Sequence, residues 1–259
     1  MSEHTLAAAH FADTRLLVDE ALRRFEGGAQ TVILDGLDED RYHEAAFPLA
    51  QAGYRCVNGT PAHRFVRLAH DKQHIVATAT NDNFHFLQPV MRLMREQGHL
   101  VSEVSSVDLN AQTLIGVLKH CDVAWFEWGD GMVVPASKLP KYCRMVCRIH
   151  SYELFQPHFL QANWQNIDEV VVVSEAMKAR FIALLGDKLP AMLRITVLGN
   201  LTDHQPLARV TPHRNRFYLA CVARFSPPKN LHLLLPLMQA LVKRDKRYKV
   251  FIAGRVEDE

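Results

Sequence analysis

Short apolar runs separated by more polar, helix-like segments dominate the chain from residue 74 onward. The runs have the length of strands and are rich in Val, Ile and aromatic residues. They are continuously apolar rather than alternating, which is typical of strands covered by helices on both faces. The predicted strands are His74–Thr78, Leu100–Val104, Val123–Glu127, Arg144–Ile149, Glu169–Val173, Ile195–Leu198, Phe217–Val222 and Tyr248–Ala253.

Between several of these runs, apolar residues recur at helical spacing. Such stripes occupy Phe84–Met94, Met177–Leu185 and Leu231–Val242. Gly98 and Gly186 follow the first two stripes as helix stops, whereas Pro236 inside the third predicts a kink or a late start. Strands therefore alternate with helices. This alternation predicts an α/β fold with a doubly wound, Rossmann-like parallel sheet.

The beginning of the chain allows two descriptions. A strand at Thr31–Asp35, a helix at Asp40–Ala52 and a second strand at Tyr54–Val57 would make a small α/β segment. A helical cap built from Leu16–Phe25 and Tyr42–Ala52 fits the pattern nearly as well. Both descriptions place an accessory segment before the main sheet.

A polar crossing separates two parts of the predicted fold. Gly199–Pro206 leads into Val210–Asn215, and their prolines and polar side chains are typical of an interdomain linker. Only one strand–helix–strand unit follows, which is too small to close a core of its own. We therefore expect a second Rossmann-like domain that is cut short. The predicted divisions are an accessory segment at 1–70, a first Rossmann-like domain at 71–205 and the start of a second at 215–259.

Composition and charge narrow the class of protein. The 259 residues are 48% hydrophobic and 22% charged, as in globular proteins. The net charge of +2 argues against a dedicated nucleic-acid binder. No apolar run reaches the roughly 18 residues of a membrane-spanning helix, and the first residues lack a secretory-signal pattern. The five cysteines show no zinc-type spacing, which favours reduced thiols in a cytoplasmic protein.

The stretch Phe217–Asn230 places two cations beyond an apolar strand. Arg224 and Lys229 lie on a predicted loop, and a helix is predicted to begin near Asn230. Cations at the carboxyl end of a parallel strand, beside the positive end of a helix dipole, can bind a diphosphate. Ligands of open α/β sheets bind at that edge. The alternative is that both are ordinary solvated surface cations.

A second candidate follows the strand predicted at Arg144–Ile149. This strand delivers His150 to the carboxyl edge of the sheet, with Glu153 just beyond. A histidine there can orient a sugar hydroxyl or hydrogen-bond a leaving phosphate, because it titrates near neutrality. The chain has 14 histidines, so an ordinary core or surface role is the alternative. A nearby basic cluster is interpreted as a solvated face: Lys138, Lys141, Arg144 and Arg148.

Other strand ends supply weaker candidates. Ser174 stands between a strand and a helix, where an N-cap is favoured over a ligand contact. Glu127 and Trp128 end another strand, where an aromatic face can stack on a sugar ring or simply pack in the core. Neither a Walker-type phosphate loop, a GxGxxG turn nor a GxSxG elbow occurs in the sequence.

Five segments in order resemble the family 4 glycosyltransferases, retaining enzymes built from two Rossmann-like domains (the GT-B fold). The resemblance extends over roughly residues 74–259, and its most specific part is the Arg–Lys element followed by a strand ending in Ala-Gly. The segments are RIHSYE at 148–153, IDEVVVVSEAMKARF at 167–181, ITVLGNLTD at 195–203, ARFSPPKNLHLLL at 223–235 and YKVFIAG at 248–254.

The resemblance implies roles for individual residues. His150 is similar to the family's active-site histidine, and Arg224 with Lys229 to the pair that neutralises the donor's diphosphate. Asn200 and Asp203 fall on the family's interdomain turn. The implied reaction moves a sugar, as in a hexosyltransferase of polysaccharide biosynthesis, from a nucleotide-diphosphate sugar to a carbohydrate or lipid-linked acceptor. It implies no metal or other cofactor, and it admits a peripheral membrane surface as a partner.

Departures from the family pattern keep other functions open. Asn81-Asp82-Asn83 stands where the family has a glycine-rich loop, Leu201 replaces the glycine of the interdomain turn, and Ala223 stands where a glycine often precedes the arginine. The family's paired donor-binding glutamates should lie beyond Glu259, so we expect half of the donor site to be missing. The alternative is a non-catalytic carbohydrate- or protein-binding module of similar fold. A third reading is a phosphorylase, which would require inorganic phosphate.

Overall fold

The computed structural model describes residues 3–56, 62–107, 109–129, 131–156, 158–201 and 215–255. The described residues up to 201 form one compact unit, and those from 215 form another. The first unit contains two sheets, and the second contains a pair of strands with one helix.

The larger sheet of the first unit has six strands, all parallel, in the order β10-β9-β8-β7-β5-β6. Its strands are β5 (His74–Ala79), β6 (Leu100–Ser105), β7 (Val123–Glu127), β8 (Arg144–Ile149), β9 (Glu169–Val172) and β10 (Arg194–Val197). All six predicted strands of this region are confirmed to within a residue or two. The helices between them are α3 (Gln88–Glu96), α4 (Ala111–His120), α5 (Val133–Ala136) and α6 (Glu175–Leu185).

Alternate residues of these strands enter two separate hydrophobic clusters, one on each face of the sheet. Trp125, Val146 and Val171 pack with residues of α3, whereas Phe126 and Met145 pack with residues of α4, α5 and α6. Burial on both faces explains why the strands are continuously apolar. The Rossmann-like α/β architecture predicted from that pattern is confirmed.

The bounds of the two predicted helices of this unit agree with the sequence pattern to different degrees. Gly186 caps α6 in a left-handed conformation, as its position after the apolar stripe predicts. Helix α3 begins only at Gln88, so Phe84 and Leu87 precede it although they pack in the same cluster. Within the described ranges, no helix combines the length and the apolar character needed to cross a membrane.

The accessory segment is a small α/β layer rather than a helical cap. Its four strands form a mixed sheet in the order β1-β2-β4-β3, with helices that pack against each other. The elements are β1 (Glu3–Ala7), α1 (Thr14–Glu26), β2 (Thr31–Asp35), α2 (Glu39–Gln51), β3 (Tyr54–Cys56) and β4 (Ala62–Arg67). The helical-cap alternative was therefore wrong, because β1 and β4 complete a sheet around the predicted strands.

Polar contacts join this N-terminal layer to the larger sheet. Arg55 donates to the carboxylate of Asp122 over 2.6 Å, and the other oxygen of Asp122 accepts from the backbone of His74 over 2.8 Å. Helix α2 meets α4 where His43 Nδ1 lies 3.5 Å from His120 Nε2. Burial lowers the pKa of His120 to about 4, and the neighbouring His43 and Lys119 act in the same direction.

The second unit is a parallel strand pair with a crossover helix. Strands β11 (Tyr218–Val222) and β12 (Lys249–Ala253) pair in parallel, and helix α7 covers Leu234–Arg244. Pro236 lies in the first turn of α7, where its missing N–H has no helical partner to lose. The late start predicted from Pro236 is therefore confirmed, as are both strands.

Candidate functional site

A buried charged cluster lies at the carboxyl edge of the six-stranded sheet. Parallel neighbours β7 and β8 end there together, with Glu127 paired in register with Arg148. Nε2 of His150 lies 2.8 Å from Oε1 of Glu127, and a guanidinium nitrogen of Arg148 lies 3.4 Å from the same oxygen. Glu127 and Arg148 are fully enclosed, and His150 is 6% exposed.

The carboxylate of Glu127 has partners on both oxygens. The indole N–H of Trp125 donates to Oε2 over 3.0 Å, which leaves Oε1 to face His150 and Arg148. A buried carboxylate needs such compensation because removing a charge from water is costly. Burial lowers the pKa of Arg148, and the charge of Glu127 opposes that shift. Glu127, itself paired with Arg148, thus holds the imidazole of His150 in one orientation.

Arg148 also joins two loops, one after β5 and one after β10. Its guanidinium donates to the carbonyl of Phe86 over 3.0 Å and to Oδ1 of Asn200 over 2.9 Å. A third bond reaches the carbonyl of Gly199 over 3.4 Å. The interpretation of Arg148 as part of a solvated basic face was wrong, because the residue points into the site rather than outward.

The rest of that basic cluster behaves differently. Lys141 pairs with Asp168 and Arg144 with Glu169 near the amino-terminal edge of the sheet. A sequence signal for Arg148 exists, since it is the second arginine within an otherwise apolar strand. A charged side chain there must find a partner on the next strand. Sequence reasoning missed that signal.

Glu153 acts as a clamp between two loops. Its Oε1 accepts the backbone N–H of His150 over 3.0 Å and that of Gly129 over 3.2 Å. The side chain is fully buried, and its Oε2 has no hydrogen-bond partner among the described residues. Burial raises the pKa of Glu153. The structure therefore assigns Glu153 to holding the loops after β7 and β8 together.

Aromatic side chains surround His150. The ring of Trp128 lies 4.1 Å from the imidazole centroid, and that of Phe86 lies 5.0 Å away. Trp128 has a left-handed φ of 81°, and its indole donates to the carbonyl of Asn83 over 3.0 Å. Tyr152, 5.5 Å from Trp128, is 44% exposed and is the outermost ring. Trp128 itself is packed against His150, and Tyr152 offers the accessible aromatic face.

The loop after β5 contains two consecutive residues with positive φ, and neither is glycine. Asn81 and Asp82 have φ values of 53° and 56°, the left-handed region that glycine adopts at least cost. The carboxylate of Asp82 accepts from the hydroxyl of Ser105 over 2.8 Å and from the backbone of Ser106 over 2.7 Å. The Ser105 bond, then the Ser106 bonds, lower the pKa of Asp82. Side-chain bonds thus stabilise the conformation here.

Ser174 performs the capping role. Its hydroxyl accepts the backbone N–H of Met177 over 3.3 Å at the start of α6. The capping prediction is therefore confirmed, whereas its contact with a sugar stays a prediction. Of the other sequence-predicted residues in this unit, the structure brings His150, Glu127, Glu153 and Asn200 into one cluster, with Trp128 against it.

The predicted diphosphate pair belongs to the second unit. Arg224 and Lys229 are both exposed; Arg224 lies on the loop after β11, and Lys229 is the last residue of the short helical turn Pro227–Lys229. Asn230 next to them has a left-handed φ of 51°. An ideal Cβ on Gly254 would lie 1.8 Å from the carbonyl oxygen of Ala223, so only glycine permits this approach of β12 to the Arg224 loop. Asp203 lies outside the described residues.

Comparison with known proteins leaves the family open. No protein family model matches the chain, and no curated protein is significantly similar to it in sequence. Within the described residues, no group of three or more His, Cys, Asp or Glu side chains is placed to hold a metal ion. The resemblance carried by the sequence motifs thus stays a prediction.

Proposed function

We propose that this protein is a retaining glycosyltransferase of the GT-B type. It would move a sugar from a nucleotide-diphosphate sugar to a carbohydrate or lipid-linked acceptor. The observation that carries the proposal is the cluster of Glu127, Arg148 and His150 at the carboxyl edge of a parallel sheet. Ligands of such sheets bind at that edge. A histidine held in one orientation there, near the exposed ring of Tyr152, suits recognition of a sugar.

His150 would position the transferred sugar. When the Nε2–H of His150 donates a hydrogen bond to Glu127, the other ring nitrogen presents a lone pair that can accept a hydrogen bond from a sugar hydroxyl. The carboxylate fixes which tautomer forms, as carboxylates do for histidines in metal sites and catalytic triads. The exposed ring of Tyr152 adds an apolar face on which a pyranose can stack.

Arg224 and Lys229 would stabilise the departing diphosphate. Breaking the glycosidic bond leaves negative charge on the diphosphate oxygens, and positioned cations lower the barrier by compensating that charge. The two side chains follow a strand end in a Rossmann-like strand–helix–strand unit, with the carbonyl of Ala223 held close to Gly254. Cationic side chains can supply this charge without a metal ion.

The test is a donor panel with matched variants. Purified protein is incubated with UDP-, GDP-, ADP- and dTDP-sugars, and NMR follows the release of nucleoside diphosphate and the anomer first formed. Arg224→Ala with Lys229→Ala should reduce turnover about 100-fold or more. The control, Lys243→Ala with Arg244→Ala, removes two exposed cations from the last turn of α7 and should retain activity. Equal activity in both variants would contradict the proposal.

Binding measurements separate the alternatives. Saturable binding of a glycan without any nucleotide, and without turnover of any donor, would favour a carbohydrate-binding module. Turnover that requires inorganic phosphate would favour a phosphorylase. A nucleoside diphosphate that binds the wild type and not Arg224→Ala with Lys229→Ala would support the donor role.

A further inference from the structure

Two cysteines stand side by side where β7 and β8 begin. Val123 and Arg144 are paired in register, and the backbone N–H of Arg144 donates to the carbonyl of Asp122 over 3.1 Å. Cys121 and Cys143 therefore lie on neighbouring chains, offset by one residue. With strands about 4.8 Å apart and a rise of about 3.3 Å per residue, their Cα atoms are roughly 6 Å apart, a separation that a disulfide spans.

The two thiols interact with each other directly. Both residues belong to the hydrophobic cluster on one face of the sheet, and each thiol shifts the pKa of the other. The neighbouring thiol of Cys121, together with the backbone N–H of Ala124 and the charge of Lys141, lowers the pKa of Cys143. The neighbouring thiol of Cys143, then burial, raises the pKa of Cys121. One thiol is thus disposed to ionise and its neighbour to stay protonated.

We propose that Cys143 and Cys121 form a peroxide-sensitive pair that closes to a reversible disulfide. The Cys143 thiolate attacks hydrogen peroxide, the O–O bond breaks, and a sulfenic acid forms. The hydroxide that leaves takes up the proton that the Cys143 thiol had released and becomes water. The sulfur of Cys121 then attacks the sulfur of Cys143, the S–O bond breaks, and a second water carries away the Cys121 proton. Two thiols are oxidised and one peroxide is reduced, so the balance is complete without another reactant.

Surroundings distinguish this pair from Cys147, the next cysteine along the chain. Cys147 has no exposed surface in the middle of β8, whereas Cys143 is 8% exposed and lies just before the strand, next to Tyr142, which is 38% exposed. The ammonium of Lys119 sits 5.4 Å from the centre of the Tyr142 ring. The proposal requires that a small neutral oxidant reach Cys143 from the side of Tyr142. The disulfide would link the end of α4 covalently to the start of β8.

A peptide map of the wild-type protein tests the proposal. Trypsin separates the three neighbouring cysteines, because Cys121 falls in 120–138, Cys143 in 142–144 and Cys147 in 145–148. After mild peroxide treatment and alkylation of remaining thiols, we expect 120–138 linked to 142–144, with a mass about 2 Da below the sum of the thiol peptides. Dithiothreitol should restore both free peptides.

Variants assign the two roles. In Cys121→Ser the sulfenic acid should persist on Cys143 and be trapped by dimedone, whereas Cys143→Ser should leave Cys121 unmodified. The control Cys147→Ser should form the link as the wild type does. A link through 145–148, a link between two chains only, or no link while Cys143 proceeds to sulfinic acid would overturn the proposal. So would a wild-type protein whose Cys121 and Cys143 stay reduced.

Discussion

Nε2 of His150 and a guanidinium nitrogen of Arg148 both face a single oxygen, Oε1 of Glu127, over 2.8 and 3.4 Å. This sharing lets one buried carboxylate orient an imidazole and neutralise a guanidinium at the same time. It also makes the charge of Glu127 indispensable, because Arg148 has no other carboxylate partner among the described residues.

Glu127→Gln should destabilise the protein strongly. The amide can still contact His150, but Arg148 is left as a buried cation without an opposite charge, which costs about 3 to 5 kcal/mol of unfolding free energy. Urea denaturation followed by circular dichroism measures the change. The control Glu3→Gln removes a carboxylate from an exposed pair with Arg64 and should change stability by no more than about 1 kcal/mol. Similar stability of the two variants would refute the role of Glu127.

Glu153→Ala and Glu153→Gln should differ. The alanine variant leaves the amides of His150 and Gly129 without their acceptor, at a cost of about 2 kcal/mol or more. The glutamine oxygen can still accept both bonds, so it should preserve most of the stability measured by urea denaturation. If Glu153→Gln lowers the stability as much as Glu153→Ala, the hydrogen bonds to the two backbone amides are not the reason for burying Glu153.

The raised pKa of Glu153 also predicts how the stability of the protein depends on pH. Burial raises the pKa of Glu153 in the folded state, so the folded protein binds this proton more tightly than the unfolded chain. The stabilisation is therefore complete below the unfolded pKa of about 4.3 and is lost as pH rises through the folded pKa. Relative to Glu153→Gln, the wild type should become less stable over that rise. A difference that is flat or increases with pH would contradict this.

Acid should weaken the contact between the N-terminal layer and the larger sheet. His120 is packed against His43 and lies near Lys119, His74 and Arg55, and burial lowers its pKa to about 4. The unfolded chain therefore binds this proton first, and between pH 7 and 5 the stability should fall by about 2 kcal/mol through His120. His120→Gln should lose that part of the slope, whereas the exposed His85→Gln should retain it. Urea denaturation at both pH values compares them.

Gly254→Ala should disturb the Arg224 loop. The added Cβ would meet the Ala223 carbonyl at 1.8 Å, so β12 and the loop must separate. Such overpacking costs about 1 to 3 kcal/mol or more, and diphosphate affinity should fall with it. Gly199→Ala is the control, since no atom lies within 4 Å of its added Cβ. Isothermal titration calorimetry with a nucleoside diphosphate and thermal unfolding compare the two variants. Unchanged affinity in Gly254→Ala would mean that the Arg224 loop is not part of the diphosphate site.

Much of the large sheet was predictable because burial on both faces favours apolar residues along its strands. A similar apolar pattern placed the β11–β12 pair, although the residues of those strands are exposed or half-buried. It failed for β1 and β4, whose sequences EHTLA and AHRFVR mix charged and polar residues with apolar ones. It also placed the start of α3 too early, because Phe84 and Leu87 pack from a turn that happens to continue the helical spacing.

The candidate site was predictable only where a side chain follows a strand. His150, Glu127 and Glu153 were found that way, since parallel strands end at one edge. The carbonyls of Phe86 and Asn83 could not be found, because every residue has a carbonyl and only the folded loop shows which one accepts a bond. The clamping role of Glu153 was hidden for the same reason, as its partners are backbone amides.

The guanidinium of Arg148 contacts the end of β7 and the loops that follow β5 and β10. A mutation that shifts one of these three segments will displace the other two, because all three share a single rigid, planar group. The segments are therefore not free to diversify independently in evolution. Descendants that alter the ligand preference of this edge should change two or three of these segments together, or replace Arg148 first.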